Sequence, residues 1–190
     1  MRSQLNNFFK KCVHSIKTKP LQRGMAMYAV TYPTGSFIQQ LLNKEQEKID
    51  YRRIGKFTLF GSLVIAPGVN LWVNFVNRVF VGNSILHILG KVGLEQIIWA
   101  PIFYTVFYFG LTVMDGRPVA DALLEVKTKA FHTYTVGLMV WPFLQLYNYS
   151  HVSDKNRIVF MAFFGLIWTV YLSYTKYVLG AGQDVELTSS

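Results

Sequence analysis

The chain has 190 residues, the length of one ordinary domain, and a formal net charge of +9. Hydrophobic residues make up 52% and charged residues 15%, well under the roughly 25% charge of an average soluble domain. Intrinsic disorder is excluded by this apolar content, and a disulfide scaffold by the single Cys12.

The first 43 residues carry Arg2, Lys10, Lys11, Lys17, Lys19 and Arg23 and no acid. Leu5, Phe8, Phe9, Cys12, Val13 and Ile16 fall on one side of a helix drawn through this segment. There is no long apolar run, so it is no secretory signal peptide. Three readings stay open: a mitochondrial presequence, an interfacial helix on an anionic membrane, or a polybasic flank that sets topology. Nucleic acid is not an expected partner, because the remaining charges are scattered through short connectors.

Five charge-free windows follow, at residues 24–43, 57–77, 96–114, 130–153 and 158–175. Each is close to the roughly 20 helical residues that cross a hydrocarbon core of about 30 Å. A soluble fold would need Lys or Glu facing water every few residues of such helices. The expectation is an all-α integral membrane bundle, with the lipid bilayer as its solvent. It has about four transmembrane helices of the length a bilayer demands, plus an N-terminal amphipathic or oblique helix. The window at 24–43 is the weakest, with Thr31, Tyr32, Pro33, Thr34, Gly35 and Ser36 at its centre. It is expected to span obliquely or to pack against the others. The organisation reads as a basic flank at 1–23, a helical membrane domain at 24–178 and a short polar tail at 179–190.

The connectors are short. Residues 44–56 mix both signs, and residues 78–95 contain Gly82, Asn83, Gly90 and Gly93. Residues 115–129 read as a turn and then a solvent-level helix with Pro118 in its first turn. Glu125 and Lys129 are spaced as a surface pair.

Pro33, Pro67, Pro101 and Pro142 each lie inside a window. A proline in a helix removes one backbone hydrogen bond and clashes with the preceding turn, so bent helices around a polar interior are expected. Asn70, Asn74 and Asn77 share one helical side, as do Gly137, Trp141, Gln145 and Asn148. Unpaired amides in hydrocarbon cost several kcal/mol, so both faces are expected to turn inward. They serve either as interhelical hydrogen bonds or as the lining of a water-filled path. For Gln145 the structural role is favoured, because Trp141 and Pro142 beside it form a packing corner.

Motifs for catalysis, phosphate binding or metal ligation are absent, and His14, His87, His132 and His151 stand far apart. No enzyme, cofactor or metal is expected.

Trp141-Pro142-x-x-Gln145-x-x-Asn148-Tyr149-x-x-Val152, then Arg157, then Trp168-x-x-Tyr171-Leu172-Ser173, resembles the signature of the Mpv17 and twenty-two-kilodalton peroxisomal membrane protein (PMP22) family. Upstream, Asp50-x-Arg52-Arg53, Gly61, Pro67-x-x-Asn70-x-Trp72, Lys91, Glu95-Gln96 and Pro101 fall on that family's landmarks. The resemblance runs over residues 20 to 175 and is nearest the Mpv17-like branch. Asn70 stands where the family has His, Val73 where it has Tyr, Ser153 where it has Pro, Ala66 where it has Gly, and Ser36 where it has an acid. The resemblance implies a four-span protein of the mitochondrial inner or the peroxisomal membrane. It further implies a weakly selective channel for small solutes, linked to mitochondrial homeostasis and reactive-oxygen metabolism, with a homo-oligomer left open. The rival is a non-conducting organiser that binds partner proteins.

Overall fold

The computed structural model describes residues 14, 19–44, 46–82, 84–152 and 154–179, with side chains for all of these but 149 and 154–159. The expected apolar side Leu5–Ile16, most of the basic flank and nearly all of the 179–190 tail lie outside the described residues. All described secondary structure is helical. It forms five long helices: α1 (Pro20–Leu42), α2 (Tyr51–Val79), α3 (Ile85–Met114), α4 (119–151) and α5 (Asp154–Tyr177).

Local chemistry sets their ends. Pro20 opens α1, where a missing N–H costs nothing. Asp50 caps α2 by accepting from the Arg53 backbone N–H at 3.0 Å. The α3–α4 turn depends on Gly116, at φ +80, a backbone conformation open to glycine. Within α2 and α3 lie wide π-helical turns, Gly61–Ile65 and Glu95–Trp99. Each is followed at once by an Ala-Pro pair, Ala66-Pro67 and Ala100-Pro101. The proline ring displaces the carbonyl four residues back, and the wide turn absorbs it. A third π turn, Val126–Ala130, lies in α4 with no proline beside it.

α1 packs between α5 and α2 and leaves its other side, with Val30, Leu41 and Leu42, exposed. The polar residues of its C-terminal half are what it buries: Ser36, Gln39 and Gln40 are almost wholly covered. Ser173 of α5 donates to Gln39 Oε1 at 3.1 Å, and Gly35 lies against Thr169. The numbers rise together along both helices, so α1 and α5 run parallel and the sequential neighbours run antiparallel.

Glycines fix the close approaches. A Cβ on Gly35 would stand 2.7 Å from Thr169, and one on Gly61 2.6 Å from the Tyr32 ring. Gly110 seats the Phe60 ring, and Gly137 seats Tyr104. Small residues at crossings let membrane helices pack without a hydrophobic drive between them. Phe57, Phe107, Tyr108 and Leu111 fill the core with no exposed surface.

The outside is as apolar as the inside. Leu71, Ile97, Met139 and Phe143 are each about 70% exposed, among many others. Soluble monomers rarely leave such surface uncovered, whereas lipid tails solvate it. α2 and α3, at 29 and 30 residues, are about 43–45 Å long at 1.5 Å per residue. By length and composition both can cross a membrane.

Candidate functional site: a central aromatic cavity and a polar column

A cavity of about 490 Å³ opens among α1 to α5. Trp72, Trp99, Trp141 and Trp168, all four tryptophans of the chain, line it. Trp72 and Trp99 stack with centroids 5.6 Å apart, and Trp141 meets Trp168 edge to face at 5.6 Å. Tyr28, Tyr32, Phe103 and Tyr104 complete the aromatic wall. Among the described residues Glu95 supplies the one carboxylate of the lining, and no Lys, Arg or His is part of it. Gln145 Nε2 donates to Glu95 Oε2 at 2.6 Å. The π turn that begins at Glu95 carries Trp99 four residues later, so one backbone irregularity aims both groups at the cavity.

Below the cavity α3 continues with one inward face. Phe107 and Tyr108 are wholly buried. The Tyr108 hydroxyl shares hydrogen bonds with Thr133 of α4 at 2.6 Å and Thr175 of α5 at 2.7 Å. One turn on lies a buried ion cluster. Lys176, 3% exposed, donates to Glu125 Oε2 at 2.7 Å and Thr112 Oγ1 at 2.8 Å. Arg117 donates to Glu125 Oε1 at 2.7 Å, and Lys56 pairs with Asp115 at 2.5 Å. The Tyr177 hydroxyl also reaches Asp115, at 3.2 Å. From Glu95 to Asp115 the helix rises about 30 Å, the thickness of a hydrocarbon core.

The structure separates the two amide faces expected to turn inward. Gln145 and Asn148 are buried, 8% and 5% exposed, and line the cavity. Asn70 is half-buried, Asn74 and Asn77 are exposed, and none of the three reaches the cavity. The inward stripe of α2 is Val69, Trp72 and Val76, one residue or about 100° out of phase with the asparagines. Two physical reasons explain the reversal. Burying an indole and two valines outweighs turning in the amides, and α2 is longer than the hydrocarbon is thick. Asn77 therefore lies at the helix end beside Arg78, where its Oδ1 accepts from Lys91 at 3.2 Å.

Pro67, Pro101, Trp141 and Pro142 are half-buried and Trp168 is buried. Arg157 lies in α5, its side chain outside the described ones. Glu125 corrects another expectation: it is no surface partner of Lys129 but 5% exposed, with Lys129 Nζ 3.6 Å away. Glu95 and Lys176 are the groups that charge spacing alone hides, since both sit at the edges of apolar windows. The helical offset from Glu95 to Trp99, four residues, is the one sequence signal that links the carboxylate to the aromatic wall.

The model of the Mpv17 / PMP22 family matches residues 112–173. An Mpv17-like protein of Xenopus laevis is 30% identical over 161 residues, covering 84% of this chain and 78% of that one. The PXMP2/4 family protein 3 of Dictyostelium discoideum is 32% identical over 162 residues, covering 83% and 85%. The mitochondrial inner membrane protein Mpv17 of Caenorhabditis elegans is 26% identical over 159 residues, covering 84% and 87%. No solved structure matches. With these relatives, a lipid-facing exterior and two helices of spanning length, the chain belongs to the Mpv17 / PMP22 family, a membrane protein of the mitochondrial inner membrane with the peroxisomal membrane as the alternative.

Proposed function

We propose that the protein is a weakly selective channel for small solutes, serving mitochondrial homeostasis and reactive-oxygen metabolism, with no catalytic step and no cofactor. One observation carries the reading: along the inner side of α3, groups from α2 to α5 form in axial order a carboxylate with an aromatic cavity, a buried hydroxyl triad and an ion cluster across about one bilayer thickness. Buried polar groups inside a membrane bundle are costly, and they collect where solutes or ions pass. Phe107 and Tyr108, wholly buried below the cavity, are the plug of this proposed path. The column lies within one chain, and conduction through it needs no second copy.

The test is conductance of the purified full chain in planar bilayers. Discrete openings are expected, and Phe107→Ala, which removes the plug, raises the open probability. Silent bilayers for both proteins, with the protein shown by circular dichroism to be folded, would reject the channel and leave the non-conducting organiser.

A further inference from the structure

The cavity has a composition that selects its occupant by charge as well as by shape. Eight aromatic side chains line it, each with a negative π surface, and Glu95 is its one carboxylate among the described residues. Gln145 occupies Oε2 of Glu95, and among the described residues Oε1 takes no hydrogen bond. The hydroxyls of Thr31 and Thr169, also in the lining, donate to carbonyls of their own helices at 2.9 and 2.8 Å. Among the described residues no cationic side chain lines the box.

We propose that this cavity binds a weakly hydrated organic monocation, of the alkylammonium or quaternary ammonium class, held on the tryptophan faces with its charge balanced by Glu95. The alternatives fail on chemistry. A hard cation such as calcium needs about six to eight oxygen ligands, which this lining does not supply. An anion would meet Glu95 with no positive partner. A lipid tail would leave the carboxylate unpaired against hydrocarbon, which is costly. A quaternary ammonium group loses little hydration on entry and gains cation–π contact on several faces at once. The volume, about 490 Å³, lies in the range of roughly 300–1,000 Å³ typical of small-molecule sites. Such a site goes beyond the channel reading and does not depend on conduction.

The four tryptophans are all in the cavity wall, so the protein's own indole emission reports on the site. The full chain in phosphatidylglycerol nanodiscs is titrated with choline and, separately, with its uncharged carbon isostere 3,3-dimethyl-1-butanol. Choline is expected to give a saturable emission change, and the neutral isostere to bind at least tenfold more weakly. Glu95→Gln, which keeps the size of the side chain, is expected to weaken choline at least tenfold and leave the alcohol unchanged. Repeating the titration in phosphatidylcholine nanodiscs separates the sources. Competition by the lipid assigns the headgroup as the occupant, and undiminished choline binding assigns a free cation.

Equal binding of choline and the alcohol, or no saturable change with either, would overturn the proposal using the unmutated protein alone. A protein that binds choline but conducts nothing retains this site and loses the channel; one that conducts but ignores choline does the reverse.

Discussion

Gly35 and Gly165 illustrate how differently two helical glycines act. Gly35 faces Thr169 so closely that any Cβ would stand 2.7 Å from its side chain, with the α5 backbone 3.1 Å away. Gly165 has open space, with nothing within 4 Å of a built Cβ. Overpacking a seam of this kind costs about 1–3 kcal/mol, whereas Gly to Ala in a free helical position gains about 0.5–1 kcal/mol. Gly35→Ala is therefore expected to lower the thermal midpoint in detergent, and Gly165→Ala to hold or raise it. Equal shifts for the two would mean that α1 and α5 are not in contact where they are placed here. Lys176 and Lys56 form a second contrast. Lys176 is sealed between Glu125 and Thr112, whereas the Lys56 side chain keeps 22% of its exposure. Removing one partner of a buried ion pair costs about 3–5 kcal/mol, and Arg117 on the same carboxylate moves Lys176→Met to the lower end of that range. Lys56→Met should cost about 1 kcal/mol or less, as partly exposed pairs do. Thermal unfolding of the two variants side by side checks the order.

At the scale of the helix, charge-free windows locate the interior of each element and miss its ends. Residues 51–56 are polar and charged, yet they are the first turns of α2, because a helix longer than the bilayer keeps its ionic ends in water. Glu95 marks the edge of an apolar window, but the backbone stays helical from Ile85 to Met114 straight through it. A charge therefore signals depth and partners rather than a break. The prolines are legible in the sequence, but the π turns upstream of Pro67 and Pro101 are not. The phase of α2 was equally hidden. Three asparagines at helical spacing define a face, and only the competing burial of Trp72 and Val76 decides which way that face points. The corner at Trp141, Gln145 and Asn148 was readable because large and polar groups there share a single side. Glu125 was misread because its i+4 partner is visible in sequence while Lys176, the partner that buries it, is 51 positions away.

The whole molecule has two distinct ends. The 43–50 connector, the Asp115–Pro118 turn and Tyr177 meet at one, where Arg53 lies over the Tyr177 ring at 4.1 Å and Lys56 reaches Asp115. The C-terminal ends of α2 and α4, at Val79 and His151, lie toward the other. A membrane-crossing α2 would place Glu47 and Val81, which flank it, on opposite sides of the membrane. With Cys12 changed to Ser, single cysteines introduced as Glu47→Cys and Val81→Cys are expected to react with an impermeant maleimide from opposite faces of sealed vesicles. Labelling of both from one face would refute a membrane-crossing α2.

The seam between α1 and α5 has a consequence for how the molecule is made. Gln39 and Ser173, which bond across it, are 134 positions apart. Chains grow from the N-terminus, so the polar stripe of α1 is complete long before its cover exists. Contacts of such long range form late and leave earlier surfaces open to wrong partners. Until α5 arrives, Gln39 lacks its bond to Ser173 and Gly35 its packing on Thr169, whereas Gln40 is already held by Asp50 and Gln46 of the following connector. α1 is therefore the helix that must wait longest for its second partner, and a chain cut short before α5 leaves it an unfinished, sticky edge.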